Sequence, residues 1–285
     1  MCGRFAASRG PEELAGLFGV RQWNPEEALA PDWNVAPTKD VHVILDRPVR
    51  GSGSPHPVRQ LRALRWGLVP QWARTPDTGP PLFNARAETA HEKPSFRSAL
   101  ATRRCVIPAD GYFEWTTGAQ ERALEEQGLR KRTRKQPYFV TPADGSVLAL
   151  AGLYEFWRDP ALPAGHPRAW WATCAVVTTA AEEAPLADVA GLLPSQRRTG
   201  TGPPAPAPRS LADIHPRMPL VLTPDRWDAW LDPATTAPDA VRPLMEPPPP
   251  GVLRAHPVGS AVSSVRNNGP ELVAELTAPE EETLF

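Results

Sequence analysis

Cys2 is the residue in this chain whose position allows unusual chemistry. Methionine aminopeptidases remove Met1 when the second residue is small, and cysteine is small enough. Removal of Met1 leaves Cys2 with an α-amine beside its thiol, a pairing that an internal cysteine does not have. The amine has a reference pKa of about 7.7–8.0 and the thiol one of about 8.5, so a fraction of each group is nucleophilic at neutral pH.

These two groups together suit attack on an aldehyde. The amine forms a Schiff base, and the adjacent thiol closes a five-membered thiazolidine ring, so the pair predicts an aldehyde or an ester-like carbon as the electrophile. Gly3 permits close approach of the backbone, and Arg4 offers a fork-shaped contact for an anion beside the nucleophile. The alternative is that Cys2 is only a small residue after the start and performs no chemistry.

Composition narrows the class of protein. The net charge is -1 with 22% charged residues, so any affinity for phosphate must come from a local basic patch. Three cysteines without a CxxC pair argue against a disulfide framework or a zinc site, and we expect no metal or organic cofactor. No apolar run is long enough to cross a bilayer, and the N-terminus lacks a signal peptide's apolar segment. We therefore expect a cytoplasmic monomer without a membrane partner.

The elements that must position Cys2 are mostly strands. A helix is predicted after Ser8 and ends at Gly19, and a second short helix follows Thr223. Runs typical of strands occupy Val41 to Leu45, Leu61 to Val69, Cys105 to Trp115, Pro137 to Val140, Val147 to Trp157, Trp170 to Thr179 and Met218 to Leu222, with a last one near Val258 to Val265. Strands along the whole length with short helices between them predict one α+β domain around a curled, barrel-like mixed β-sheet with short flanking helices.

The domain is expected to span residues 1–275, followed by an acidic tail over 276–285. Two segments are interpreted as loop insertions, the charged stretch 119–136 and the proline-rich stretch 184–209. The basic run from Arg130 to Lys135 lies in the first of them and is read as a solvated face.

Short motifs spread over nearly the whole chain carry a resemblance to one family. They are MCGRF at the start, WNVAPT (33–38), RWGLVPQWA (65–73), FNARAET (83–89), Phe96-Arg97, RRCVIPADGYFEW (103–115), AGLYEFW (151–157), CAVVTT (174–179) and ADIHPRMPLVL (212–222). Their order and combination are specific, and the chain resembles the SRAP (SOS response-associated peptidase) family. The animal member of that family is named for binding 5-hydroxymethylcytosine in embryonic stem cells.

The resemblance implies an activity in the response to DNA damage. Members of the family form a thiazolidine crosslink between the N-terminal cysteine and the ring-opened aldehyde of an abasic site, prefer single-stranded DNA and shield the lesion from strand cleavage. The resemblance implies a lyase-type enzyme that is associated with the nucleoid when bound to DNA and that is able to remove its own Met1. The implied fold is one α+β domain with a barrel-like core and a positively charged groove.

The resemblance also assigns catalytic roles by position. Asn84 matches the family's active-site asparagine, and an amide can orient the Cys2 amine without competing as a nucleophile. Glu114 matches the active-site glutamate, which could open the closed hemiacetal of the sugar by proton transfer, and its aromatic neighbours predict a raised pKa. His215 matches the active-site histidine, which can move a proton to or from the sugar hydroxyl.

DNA contacts are expected from arginine and tryptophan side chains in the same motifs. The candidates for phosphate contact are Arg4, Arg86, Arg97 and Arg217, followed by Arg65 and Arg74. The candidates for stacking on bases or wedging between them are Trp66, Trp72 and Trp115. The remaining histidines, His42, His56, His91, His166 and His256, are interpreted as surface residues, and Cys105 and Cys174 as inert core thiols.

Two other functions stay open. A cysteine peptidase with an N-terminal nucleophile would use Cys2, Glu114 and His215 for acyl transfer. A non-covalent binder of single-stranded or modified DNA would use the arginines and tryptophans and leave Cys2 idle.

Overall fold

The structure is a computed structural model that describes residues 2–49, 55–76, 82–116, 135–163, 165–166, 168–186 and 208–276. Its strands are β1 Phe5–Ala7, β2 Gln22–Trp23, β3 Asp32–Val35, β4 Asp40–Pro48, β5 Pro57–Trp66, β6 Asn84–Arg86, β7 Arg104–Ala109, β8 Gly111–Thr116, β9 Gln136–Pro142, β10 Leu148–Arg158, β11 Trp170–Ala180, β12 Arg217–Pro219 and β13 Leu253–Pro257. Its α-helices are α1 Pro11–Phe18, α2 Arg97–Thr102, α3 Leu211–Ile214, α4 Trp227–Leu231 and α5 Pro238–Val241. Short 3₁₀ turns cover Pro25–Glu27, Pro224–Arg226, Arg242–Met245, Ser260–Ser263 and Pro270–Val273.

Five of the strands close into a barrel. The order β11-β10-β7-β4-β5 is antiparallel throughout, and β5 then pairs in parallel with β11, where Trp66 lies opposite Cys174. A second sheet with the order β13-β9-β8-β1-β3 is antiparallel. The predicted fold class, one α+β domain with a barrel-like mixed sheet and short helices, is confirmed.

Side chains of the barrel strands alternate between two hydrophobic clusters, as the period of a strand requires. One cluster joins barrel residues such as Val43 and Trp66 to Phe5 and Tyr112 of the second sheet. The other cluster packs the opposite faces of these strands against helices α1, α2, α4 and α5. The barrel is therefore covered on one side by a sheet and on the other by helices.

The first helix forms where the sequence predicts it. Pro11 occupies the first turn, Leu14 and Phe18 are buried on one face, and Gly19 ends the helix in the left-handed conformation with φ 65°. The N-cap is Gly10, which makes no side-chain cap hydrogen bond, so the helix begins at Pro11, three residues after Ser8.

The last predicted strand is misplaced. The strand of this region is β13, Leu253–Pro257, and the following residues form a 3₁₀ turn at Ser260–Ser263. The physical reason is that the carbonyl oxygens of Val262 and Ser264 accept hydrogen bonds from the side chain of Asn34.

Most of the two expected insertions and the acidic tail lie outside the described residues, which omit 117–134, 187–207 and 277–285. None of the helices that the structure describes is both long enough and apolar enough to cross a membrane.

Candidate active site

Strand pairing places the N-terminal segment beside β8. Phe5 lies opposite Tyr112, and the backbone N–H of Phe113 donates to the carbonyl oxygen of Arg4 over 2.9 Å. The ring of Phe5 packs 4.9 Å from that of Trp66, between centroids, which ties the segment to the barrel. Cys2 is 0% exposed as a result.

Strand β8 presents two polar side chains on one face. Tyr112 and Glu114 share that face, and Phe113 packs on the opposite face in a separate apolar cluster. The start of the strand requires glycine, because a Cβ at Gly111 would lie 2.4 Å from the ring of Phe139 and 2.5 Å from the carbonyl oxygen of Val140. This close approach of β8 to β9 sets the position of Glu114 relative to β9.

A narrow cleft brings Glu114 and His215 together. It encloses about 180 Å³ of empty space, including its open mouth. Its lining residues are Tyr112, Glu114, Val140, Ala181, Leu211, Ile214, His215, Arg217 and Met218. Strand β8 therefore supplies one wall, and α3 with β12 supplies the wall that faces it.

His215 is held at the end of a single helical turn. The hydroxyl of Ser210 accepts from the N–H of Asp213 and caps α3, and Pro216 follows His215 and ends the turn. The Nδ1 atom of His215 lies 3.0 Å from both the backbone N–H and the carbonyl oxygen of Arg217. The backbone of Arg217 can thus donate through its N–H to an unprotonated Nδ1 or accept through its carbonyl oxygen from a protonated one.

Asn84 contacts Cys2, the predicted nucleophile, directly. It begins β6, which pairs in parallel with β11 so that Asn84 lies opposite Val176. Its Nδ2 donates to the carbonyl oxygen of Cys2 over 2.7 Å. Its Oδ1 is buried and has no hydrogen-bond partner within the described part of the chain. An acceptor is therefore held ready beside Cys2.

Burial favours the neutral forms of the groups in this cluster. Desolvation raises the pKa of the Glu114 carboxyl, and the charge of Lys135 opposes that rise. Desolvation also raises the pKa of the Cys2 thiol well above its usual value, Glu114 adds to the rise, and a hydrogen bond from the Arg4 backbone lowers it. The pKa of Tyr112 is raised by burial and further by Glu114 and Cys2.

Arg4 is half-buried and is hydrogen-bonded within the fold through one of its terminal nitrogens. Its Nη1 donates to Asn34 Oδ1 over 2.6 Å and to the carbonyl oxygen of Val262 over 2.8 Å, and its guanidinium lies 5.6 Å from the centroid of the Trp115 ring. Burial lowers the pKa of Arg4. Asn34 is completely buried and was missed by the sequence analysis, although it lies in the quoted WNVAPT motif.

Arg217 is paired with an acidic residue that the sequence analysis did not single out. Its two terminal nitrogens donate to the carboxylate of Glu88 over 2.6 and 2.9 Å, and Nη2 also donates to the carbonyl oxygen of Thr178 over 2.7 Å. The hydrogen bonds from Arg217 lower the pKa of Glu88. The signal for Glu88 was its place in FNARAET, four residues after Asn84.

The other arginine candidates lie in different settings. Arg86 is exposed on β6, two residues after Asn84 and therefore on the same face of the strand. Arg97 is exposed at the first position of α2, a helix that packs against β7 and β10 rather than lining the cleft. Arg65 stacks with its guanidinium 4.9 Å from the centroid of the Trp171 ring, and Arg74 is exposed.

The three tryptophan candidates separate by burial. Trp66 is 0% exposed, and its Nε1 donates to the carbonyl oxygen of Phe83 over 2.8 Å, so it has no ring face for a base and the expected stacking role is wrong. Trp72 is 60% exposed, and Trp115 is half-buried with its Nε1 3.2 Å from Ser263 Oγ.

Two of the histidines expected at the surface are buried. His42 is 8% and His256 is 7% exposed, and each hydrogen-bonds to backbone, to Leu29 N–H and to the Val273 carbonyl oxygen respectively. Cys105 and Cys174 are buried free thiols in the barrel. Among the residues that the structure describes, no three His, Cys, Asp or Glu side chains are grouped to hold a metal ion.

The fold and the site define a class of α+β protein in which an N-terminal cysteine lies against an asparagine, beside a cleft lined by a glutamate and a histidine. The sequence matches the SOS response associated peptidase (SRAP) family over residues 1–190 and 204–265, and the chain belongs to that family.

Named relatives support the assignment to the family. The abasic site processing protein YoqW of Bacillus subtilis (strain 168) is 34% identical over 273 residues, which cover 96% of this chain and 99% of that protein. The abasic site processing protein HMCES of Gallus gallus is 28% identical, over 99% of this chain and 80% of that protein. A crystal structure of a protein from Bacteroides thetaiotaomicron has the same fold, with a TM-score of 0.68, 22% identity, and coverage of 96% of this chain and 100% of that one.

Proposed function

We propose that this chain processes abasic sites in single-stranded DNA by linking Cys2 covalently to the lesion sugar. The α-amine of processed Cys2 attacks the C1′ aldehyde of the ring-opened sugar, and loss of water gives a Schiff base. The thiol sulfur then bonds to C1′ while its proton passes to the nitrogen, which closes a thiazolidine. The overall reaction joins aldehyde and aminothiol and releases one water.

The observation that carries this proposal is the contact between Asn84 and Cys2. The 2.7 Å hydrogen bond holds the residue that bears the amine and thiol. The names of the relatives YoqW and HMCES supply the lesion, an abasic site, and an abasic site exposes the aldehyde that an aminothiol needs.

Glu114 and His215 are suited to opening the sugar. A closed hemiacetal opens when its C1′ hydroxyl loses a proton, the bond from C1′ to O4′ breaks, and O4′ gains a proton. Burial raises the pKa of the Glu114 carboxyl, which brings it closer to that of a useful proton donor for O4′, so we assign Glu114 as the general acid. His215 lines the same cleft and is assigned as the acceptor of the hydroxyl proton.

Phosphate and base contacts are assigned to side chains near this site. Arg86 is exposed on the strand that carries Asn84, and Arg217 lines the cleft. Exposed Trp72 and half-buried Trp115 retain ring surface for bases. Arg97 is assigned to DNA farther from the cleft.

The peptidase alternative fits the buried thiol less well. A cysteine peptidase attacks as the thiolate, and burial together with Glu114 raises the pKa of Cys2, which disfavours that form. Thiazolidine closure begins instead with the amine.

The test mixes methionine-processed protein with a single-stranded oligonucleotide that carries one abasic site and resolves the products on a denaturing gel without borohydride. We expect a shifted band for the wild type and for Cys174→Ala, which loses a different buried thiol, and none for Cys2→Ala. Absence of the band, with loss of Met1 confirmed by mass spectrometry, would overturn the proposal. Peptide hydrolysis without DNA would favour the peptidase, and unchanged binding by Cys2→Ala without an adduct would favour a non-covalent binder.

A further inference from the structure

An ion pair crosses the end of strand β11 beside the cleft. Thr178 of β11 pairs with Arg86 of β6 on one edge and with Pro219 of β12 on the other. Arg217 on the β12 side reaches over Thr178 and binds Glu88, which follows β6, through both carboxylate oxygens. Glu88 therefore ties together the two segments that carry Asn84 and His215.

The ion pair between Arg217 and Glu88 leaves one hydrogen-bond donor of Arg217 unused. The Arg217 side chain is 19% exposed, whereas that of Glu88 is 50% exposed. The Nε–H of Arg217 is buried and has no hydrogen-bond partner among the described residues. Arg217 lines the cleft with Glu114 and His215, so this residue forms part of the wall of the proposed active site.

The main chain of Arg217 also holds the histidine. Its N–H donates to Nδ1 of His215 over 3.0 Å. Movement of Arg217 would therefore disturb both the unused donor and the orientation of the imidazole ring. Glu88 contacts neither Cys2 nor His215 through any hydrogen bond that the described residues show, so it acts through Arg217.

We propose that Glu88 is a positioning residue, which fixes the guanidinium of Arg217 at the cleft wall so that Nε–H meets an anionic oxygen of the lesion nucleotide. This inference rests on the proposed function. The carboxylate also offsets the positive charge of Arg217, which reduces its attraction for any DNA phosphate. Loss of the carboxylate charge should therefore change binding and rate in opposite directions. The variant should bind DNA more tightly but react more slowly.

The test compares Glu88→Gln with the wild type in single-turnover crosslinking at increasing protein concentration. The glutamine keeps one acceptor for Arg217 but removes the charge and the second oxygen. We expect a maximal rate about tenfold lower, because a misplaced group lowers the rate of a positioned reaction. We expect the half-saturating concentration to fall about threefold, because one negative charge near phosphate is gone.

Two further variants make the result specific. Glu92→Gln removes the same charge from an exposed residue four positions away and should leave both parameters within about twofold of the wild type. Glu88→Asp retains a carboxylate and should recover part of the maximal rate. A merely structural role would weaken binding and rate together with thermal stability, and that pattern, or a Glu88→Gln rate equal to the wild type, would overturn the inference.

The binding of an oligonucleotide with a tetrahydrofuran abasic analogue, which cannot form a Schiff base, separates this inference from the function on which it rests. A wild type that forms no adduct would overturn the proposed function. A Glu88→Gln variant that binds the analogue no more tightly than the wild type would overturn the inference about Glu88, whether or not the wild type forms an adduct.

Discussion

The side-chain amide of Asn84 donates a 2.7 Å hydrogen bond to the carbonyl oxygen of Cys2, across 82 positions of sequence. The bond joins the N-terminal segment to β6, which is itself fixed by parallel pairing with β11. The residue that carries the nucleophiles is therefore positioned by the barrel as well as by its own strand.

This contact predicts that Asn84→Asp will slow crosslinking. The carboxylate cannot donate to the Cys2 carbonyl oxygen and would repel it, so the amine should lose its alignment and the rate should fall about ten- to hundredfold. Single-turnover gels give the rate. Asn24→Asp is the control, since the Asn24 side chain accepts the N–H of Glu26 through Oδ1 and aspartate accepts it equally well. Equal rates for Asn84→Asp and the wild type would contradict the assigned role.

Substitution of Glu114 by glutamine is predicted to raise the stability of the fold and to lower the crosslinking activity. The pKa of Glu114 is raised by burial, so ionisation is harder in the folded than in the unfolded chain and destabilises the fold as the pH rises above the ordinary carboxyl value. This loss stops growing once the pH passes the raised pKa. Glu114→Gln should therefore melt at a higher temperature than the wild type at pH 8, differ less at pH 4, and crosslink much more slowly.

Melting curves at the two pH values and crosslinking rates measure both effects on the same preparations. In the wild type the rate should also decline as the pH rises through the raised pKa, because the proton donor is lost. A Glu114→Gln protein that melts lower than the wild type at pH 8 would indicate that the carboxylate is stabilised rather than desolvated.

Substitution of Asn34 is predicted to cause a large loss of stability, an effect that does not depend on the proposed reaction. The buried amide of Asn34 bonds the carbonyl oxygens of Val262, Ser264 and Asn267 and accepts from Arg4. Asn34→Ala leaves these groups unsatisfied, so the free energy of unfolding should fall by about 2–4 kcal/mol, measured by urea titration. Asn267→Ala removes an exposed side-chain bond to Ala261 and should cost under about 1 kcal/mol.

Substitution by alanine is predicted to lower the stability of the fold at Gly111 and to raise it at Gly16. A methyl group at Gly111 would overlap Phe139 and the carbonyl oxygen of Val140, so Gly111→Ala should destabilise the fold by about 2 kcal/mol or more. Gly16 lies inside α1 with no atom within 4 Å of a Cβ, so Gly16→Ala should stabilise it by about 0.5–1 kcal/mol. Denaturant midpoints test both, and a tolerated Gly111→Ala would mean that β8 and β9 can separate.

Alanine substitutions of Trp72 and Trp66 are predicted to have separate effects, the first on DNA binding and the second on stability. Trp72→Ala should weaken binding of single-stranded DNA by about 1–3 kcal/mol and leave the melting temperature nearly unchanged, since the ring is 60% exposed. Trp66→Ala should cost about 3–5 kcal/mol of stability, because the ring fills the core beside Phe5. Fluorescence anisotropy and thermal melts distinguish the two, and loss of stability in Trp72→Ala would contradict the assignment.

The fold class was predictable because it depends on local patterns. Helix α1 follows from Pro11, a spaced apolar face and Gly19, all within nine residues of one another. The strand runs follow from β-branched and aromatic residues in short stretches. Closure of the barrel was expected only as a curled sheet, because the parallel pairing of β5 with β11 joins segments more than a hundred positions apart.

The sequence by itself predicted that Cys2, once Met1 is removed, has an amine and a thiol suited to an aldehyde, and its motifs indicated Asn84, Glu114 and His215. Only the tertiary structure decided which partners and how much exposure these arginine and tryptophan side chains have. Arg4 is bound by Asn34, Arg217 is held by Glu88, and Trp66 is buried. The physical reason is that residue type sets what a side chain can do, whereas its burial and partners depend on distant segments that only the folded chain brings together.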